Sequence, residues 1–161
     1  MDLVYVSLGS NLGNREGFLA TARSAIQKEF GDSRFSRIYE TEPVDFLDQP
    51  WFLNQVAEFI SDRSPESLLE WAHDLEKRQD RQRQIPKGPR TLDVDLLLVG
   101  DKIQQDRDPI LPHPRLAQRR HVLTPLAELA PRLRIPLVDM TVEKALALVK
   151  DFSQVRIHVE P

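Results

Sequence analysis

Hydrophobic and polar positions change their period several times along the chain, and each change marks an element. Leu3-Val4-Tyr5-Val6-Ser7-Leu8 is rich in β-formers and runs into Gly9, which predicts a first strand. From Gly13-Asn14 the period lengthens, and Phe18, Ala22, Ala25, Ile26 and Phe30 fall on one face of a helix that Gly31 closes. Arg34 to Thr41 predicts a second strand and Phe52 to Ile60 a third. The stretch from Glu42 to Pro50 joins them, and its prolines make it a loop. Ser64 suits an N-cap and Pro65 a first helical position, with Leu68, Ala72 and Leu75 as the apolar stripe of a second helix that fades near Asp80. Leu92 to Val99 predicts a fourth strand ending at the Gly100-Asp101 turn. Simple alternation assigns Leu92, Val94, Leu96 and Leu98 to one face, and Asp93 and Asp95 to the other. Beyond it, prolines break residues 109–114, a short helix spans Arg120 to Leu129, and Val142, Ala145, Leu146 and Val149 mark a last one.

Two successive strand-helix-strand units fit a ferredoxin-like α+β sandwich better than a parallel sheet. The expectation is a mainly antiparallel sheet with helices on one face and the ligand site on the other.

The length of 161 residues suits one domain over residues 1–161 and leaves little room for two. With 40% hydrophobic and 29% charged residues the composition is that of a folded, soluble protein. No apolar run approaches the roughly 18 residues of a membrane span, and Met1 leads straight into a strand pattern without a basic and apolar leader. A cytoplasmic protein without a membrane partner is expected. The absence of cysteine excludes disulfides, thiolate-bound zinc, iron–sulfur clusters and a cysteine nucleophile, so oxygen or imidazole must hold any metal.

Charge narrows the search further. The whole chain carries a formal −3, yet Lys77, Arg78, Arg81, Arg83, Lys87 and Arg90 crowd into a stretch whose single acid is Asp80. Such a segment attracts an anion. Directly after it come Asp93 and Asp95, two apart on a strand and therefore on one face, at roughly 6.5–7 Å between Cα atoms. Both carboxylates can reach one small cluster of hard cations, with substrate phosphates completing the octahedra that magnesium requires. Two solvated aspartates on an exposed strand would give the same pattern. Against that stands the cost of setting two acids in a run of Leu and Val, which a bound cation would offset. Arg81, Arg83 and Arg90 are suited to phosphate, because a guanidinium stays charged and binds in bidentate fashion. The Gln82 to Pro89 stretch has the composition of a lid that closes over phosphates, or of a solvated basic loop.

Several blocks in order resemble one family: Gly9-Ser-Asn-Leu-Gly13, Tyr39-Glu-Thr-Glu-Pro43, Gln49-Pro-Trp-Phe-Leu-Asn54, Gly88-Pro-Arg-Thr-Leu-Asp-Val-Asp95, and Pro112-His-Pro-Arg115 followed by Arg119 and Pro125-Leu126. Together, from Tyr5 to about Pro131, they are similar to 6-hydroxymethyl-7,8-dihydropterin pyrophosphokinase, a folate-pathway enzyme. The resemblance implies the same sandwich fold as a single pyrophosphokinase domain, and transfer of pyrophosphate from the co-substrate ATP to the hydroxymethyl group of a reduced pterin, with AMP as the other product. It implies two Mg2+ ions on Asp93 and Asp95, with Asp95 nearer the attacking hydroxyl. It also implies Arg81 and Arg90 as catalytic phosphate cations, ATP contacts from Glu76, Arg83, Arg90, His113 and Arg119, and a pterin pocket of Thr41, Pro43, Val44, Phe52, Asn54 and His121. Read without the family, Phe52 is as well a core residue, Asn54 a polar residue near a turn and His113 a surface histidine. The Gly9–Gly13 turn lacks either phosphate-loop pattern, and reads as structural with polar groups on the site floor.

The sequence also departs from its family. Asp80 stands where glycine is common, Lys87 where tryptophan is frequent, and His121 where a phenylalanine usually stacks on the pterin; an imidazole stacks more weakly. Two other classes compete on pattern alone. A ferredoxin-like RNA-binding module would need exposed strand aromatics in a Lys/Arg-Gly-Phe/Tyr motif that is absent, and a two-metal phosphodiesterase would use the same acids and arginines. The expected partners are therefore ATP and the reduced hydroxymethylpterin, with no nucleic acid, bound by a free-standing monomer.

Overall fold

Local rules fix the first βα unit in the computed structural model, which describes all residues except 45, 80–90 and 160–161. Strand β1 (Asp2–Ser10) passes through a turn with Gly13 at φ +74° into helix α1 (Arg15–Phe30). Asn14 caps that helix, its Oδ1 accepting from the Gly17 amide at 3.0 Å, and Gly31, at φ +81°, closes it by donating its N–H to the Gln27 carbonyl. The next strands are β2 (Ser33–Phe35), β3 (Tyr39–Thr41) and β4 (Phe52–Ser61), followed by helix α2 (Pro65–Arg78) and β5 (Asp93–Val99). Ser64 caps α2 by accepting from the Ser67 amide at 3.1 Å, with Pro65 in the first turn as expected. A single 3-10 turn (Leu116–Gln118) leads to α3 (Arg120–Leu129); then come β6 (Arg134–Ile135), β7 (Met140–Thr141), α4 (Val142–Leu148) and β8 (Val155–Ile157). No described helix is long and apolar enough to cross a membrane.

The main sheet has the order β5-β1-β4-β3-β8, with β2 also on β4, and every pairing in it is antiparallel. This is the ferredoxin-like α+β sandwich. Helices α1 and α2 pack on one face over Val4, Val6, Leu8, Leu53, Ala57, Phe59, Leu92 and Val94. The other face carries Tyr5, Val56, Leu97 and Leu98 under α3 and α4 at one end, and leaves a polar cavity at the other. That face is thus shared between two more helices and the site.

Two strand readings need correction. The predicted strand from Arg34 to Thr41 is split in two. Phe35 faces Ala57 while Tyr39 faces Asn54, so four steps on one side oppose three on β4, and the extra residue interrupts the ladder. Buried Ser36 repairs the gap: its N–H donates to the Val56 carbonyl, and its Oγ accepts from the Val56 amide at 3.0 Å. In β5 the alternation breaks as well. Tyr5 opposes Leu98 but Val6 opposes Leu96, so Leu97 is the extra residue, and Leu98 turns to the α3 side instead of joining Leu92, Val94 and Leu96.

Candidate active site

The cavity on the polar face measures about 590 Å³, and its floor is the sheet itself. Strand pairing explains why. Gly9 of β1 lies opposite Asp93 of β5 on one side and Asn54 of β4 on the other, so Asp93, Gly9 and Asn54 form one row across three strands. Directly paired residues share a face, and two such steps separate Asp93 from Asn54 by about 9–11 Å at Cα. Gly9 keeps the middle of that row low. A methyl group there would meet Asn54 Oδ1 at 2.8 Å. In the next row Ser7 lies between Asp95 and Val56, and Ser7 also lines the cavity.

At the β5 end the acids crowd. Buried Glu76, from α2, accepts at Oε2 from the Val94 amide at 2.8 Å, closing an open donor of this edge strand. Asp95 lies at the cavity wall with protein on nearly every other side. Burial first, then the charges of Asp93 and Glu76, push its carboxyl far above the usual carboxylate range, against the pull of Arg119. His113 takes the opposite shift: burial and the nearby Arg119 charge lower it to about 4, although Asp93 favours its protonation. It is therefore neutral near pH 7. Its Nδ1 accepts from the Arg115 amide at 3.2 Å, which puts the ring proton on Nε2 as a donor for a ligand.

The β4–β3 end has a different chemistry. Asn54 donates through Nδ2 to Thr41 Oγ1 at 2.5 Å, a bond that fixes the amide with both side chains buried. Pro43, Val44, Phe52 and His121 add flat or apolar surface. The loop over this end is tied to the first turn. Asn11 donates through Nδ2 to Gln49 Oε1 at 2.9 Å and to the Pro50 carbonyl at 2.8 Å. The Gly9–Gly13 turn is thus structural, with Gly9 on the floor.

All eleven described candidates line this one cavity: Thr41, Pro43, Val44, Phe52, Asn54, Glu76, Asp93, Asp95, His113, Arg119 and His121. Arg81, Arg83 and Arg90 lie outside the described residues, as do Asp80 and Lys87. Sequence reasoning missed Leu69 and His73, which precede Glu76 by seven and three positions and so share its helix face; that period was available once Glu76 had been singled out. It also missed Asp108, Pro109 and Ile110, which no local pattern marks. Among the described residues no group of three His, Asp or Glu could hold a metal ion. The donor set still suits magnesium: the carboxylates of Asp93 and Glu76 crowd Asp95, which favours a cation, and two protein ligands leave room for phosphate and water.

Fold and site together set a crowded acidic end beside a flatter amide and apolar end in one cavity of an antiparallel α+β sandwich. The model of the 7,8-dihydro-6-hydroxymethylpterin-pyrophosphokinase family matches residues 5–131, and the chain belongs to that family. It is 38% identical over 130 residues to the 2-amino-4-hydroxy-6-hydroxymethyldihydropteridine pyrophosphokinase of Bacillus subtilis, covering 80% of this chain and 78% of that one. It is also 38% identical over 136 residues to the protein of the same name from Pseudomonas aeruginosa, covering 83% of each. To the folic acid synthesis protein fol1 of Pneumocystis carinii it is 36% identical over 93% of this chain, but it spans only 20% of that longer protein. The solved structure of Plasmodium falciparum HPPK-DHPS wild type shares the fold at a TM-score of 0.71 and 15% identity, covering 91% of this chain and 44% of that one. The chain is an ATP-dependent pyrophosphokinase of folate biosynthesis, and neither the RNA-binding nor the phosphodiesterase reading is favoured.

Proposed function

We propose that the cavity holds 6-hydroxymethyl-7,8-dihydropterin over its β4–β3 end and ATP over β5 and α2, with two magnesium ions on Asp93 and Asp95 between them. The observation that carries this reading is the row Asp93, Gly9 and Asn54: it sets an acidic end and an amide end on one floor, with a gap at Gly9. Asn54, held by Thr41, offers a donor and an acceptor to the amide-like edge of the pterin, and Phe52 and His121 offer faces to its ring. Glu76, neutral His113 and Arg119 hold the nucleotide, His113 through its Nε2 proton.

In the transfer, the pterin hydroxyl oxygen bonds to the β-phosphorus of ATP and gives up its proton to solvent, the bond from that phosphorus to the oxygen bridging the α-phosphate breaks, and AMP leaves with the bridging oxygen. Asp95 lies nearest that hydroxyl and orients it. Magnesium, when bound, neutralises charge developing on the transferred group. Arg81 and Arg90 as catalytic cations, and Arg83 as an ATP contact, supply the remaining positive charge in the roles that the family resemblance implies. The unit is one domain over residues 1–161, acting as a monomer in the cytoplasm without nucleic acid.

The test is a reaction with ATP, Mg2+ and the reduced pterin, followed by chromatography. AMP and the pterin diphosphate are expected in equal amounts, and ADP in place of AMP would overturn the reaction. Asn54→Ala is expected to raise the pterin KM about tenfold or more with little change in the KM for ATP. The reverse pattern would exchange the two ends of the cavity.

A further inference from the structure

The segment after residue 131 lies beyond the stretch that the family model matches, yet it hydrogen-bonds to Glu42 in the cavity lining and to Arg120 between two lining residues. Helix α3 begins behind Arg119, whose side chain makes no cap hydrogen bond. Asp151 supplies the cap from a distance of 31 residues: its Oδ2 accepts from the Arg120 amide at 3.0 Å. Its Oδ1 accepts from the Ser153 amide at 3.0 Å and from Ser153 Oγ at 2.6 Å. Burial would raise this carboxyl's pKa, but the hydrogen bonds from Ser153 and Arg120 outweigh it and hold the group ionised. The residues on either side of the capped amide, Arg119 and His121, both line the cavity.

Three residues later the same segment grips a second part of the lining. The Glu42 amide donates to the Gln154 carbonyl at 3.0 Å, and the Gln154 amide donates to Glu42 Oε1 at 3.2 Å. Val155 then opens β8 by pairing with Thr41, and Thr41 and Glu42 both line the cavity. Arg156 fastens this end: it donates to Glu40 Oε1 at 2.5 Å and stacks over Trp51 at 4.7 Å from the ring centroid.

We infer that residues 151–155 form a strap joining the His121 wall to the Thr41 wall, and that Asp151 is the positioning residue that sets the gap between them for the pterin. Four residue steps of extended chain span at most about 14 Å, so with both ends held the walls cannot part further. This rests on the reading of those walls as the pterin end. A cap that served stability alone would leave substrate affinity untouched, and that difference makes the inference testable.

The experiment compares Asp151→Ala, Asp151→Asn and His121→Ala in the full chain, measuring kcat, the KM for each substrate and the thermal midpoint. Asp151→Ala is expected to raise the pterin KM about 5- to 10-fold, the factor that loss of one helix cap is worth, with kcat within about twofold. Asp151→Asn, whose one amide oxygen can replace Oδ2 on the Arg120 amide while its NH2 loses the bond from the Ser153 amide, is expected to recover part of that loss. A fall in thermal midpoint in Asp151→Ala with a parental pterin KM, while His121→Ala raises it, overturns the strap alone. A parental pterin KM in both overturns the strap because the pterin wall itself was misread. If Asp151→Ala does not fold, Ser153→Ala carries the test. It is expected to raise the pterin KM about two- to threefold, and a parental value overturns the inference.

Discussion

Toward α1 and α2 the sheet presents Val4, Val6, Leu8, Leu53, Ala57, Phe59, Val94 and Leu96; toward the cavity the same strands present Ser7, Gly9, Asn54, Asp93 and Asp95. The first face is closed by an aromatic cluster. Phe30 stacks on Phe59 at 4.1 Å between centroids, and Trp71 meets both rings edge-on at 5.0 and 6.2 Å. Each such ring contributes its buried area plus about 0.5–1.5 kcal/mol of pair interaction. The second face does the reverse: it holds Asp95 among like charges, which opposes folding until a cation arrives. The alternating strands thus divide their labour, with apolar packing all along one face and preorganised charge at the cavity end of the other.

The sharpest way to break this comparison is to change one residue on each face. Asp95→Asn is expected to lower turnover by roughly 10³-fold, as loss of a preorganised charge at a reacting centre does, while the metal-free protein keeps or gains thermal stability because a crowded carboxyl is gone. Steady-state assays and thermal melts without Mg2+ read both. A variant that melts well below the parent would place Asp95 in the scaffold instead of the site.

Phe59→Ala tests the opposite face. Phe59 is 1% exposed, and removing its ring leaves a cavity against Phe30 and Trp71, for an expected loss of about 3–5 kcal/mol in urea unfolding. Below the unfolding transition its KM values are expected to stay parental. If they rise severalfold, the two faces are coupled and the division fails.

Magnesium sharpens the contrast on a smaller scale. Each ion, at ten times its dissociation constant, is expected to stabilise the parent by about 1.4 kcal/mol, and Asp95→Asn by much less. Phe59→Ala, which leaves the acids in place, should gain as much as the parent. Differential scanning calorimetry with and without Mg2+ measures this, and equal gains in the parent and Asp95→Asn would remove Asp95 from the metal site.

The sequence made one face far more legible than the other. Helical periods and the alternation of β5 located Ala22, Ile26, Leu68, Ala72, Leu75, Leu92, Val94 and Leu96 on the α1–α2 face, because burial of an apolar stripe is a local property of the pattern, although buried Leu19 and Trp71 fell outside the stripes. The two breaks in alternation were hidden. Whether Leu97 or Leu98 crosses the sheet depends on how β5 registers against Tyr5 and Val6, and whether Ser36 interrupts a strand depends on Val56. Neither partner can be read from neighbouring residues. In the site, Asp93 and Asp95 stood out because acids are rare inside a strand, and Gly9 between Asp93 and Asn54 became meaningful only once three strands were in register. Asp151 had no local signal at all, since the helix it caps starts 31 residues earlier.

The smallest expected effect concerns the polar contacts that hold α3 on the cavity side. Glu128 accepts from the Arg37 guanidinium at 3.1 Å, from the Arg37 amide at 3.0 Å and from the Tyr39 hydroxyl at 2.6 Å. Burial alone would raise its pKa, but the hydrogen bonds from Tyr39 and Arg37 hold it below the usual value near 4.5. A carboxyl with a depressed folded pKa binds its proton more readily when unfolded. Its contribution is therefore complete above about pH 5 and is lost as pH falls through the folded value. Glu128→Gln removes that dependence. Urea unfolding of both proteins at about pH 7, 5 and 3.5 should show the parent losing its advantage toward the acid end. Because Arg37 is largely solvent-exposed, the loss is expected to stay under about 1 kcal/mol. Parallel curves would mean that α3 is held on the sheet by Val122, Leu123 and Leu126 alone, and that the cavity side borrows its stability from apolar packing as fully as the other face does.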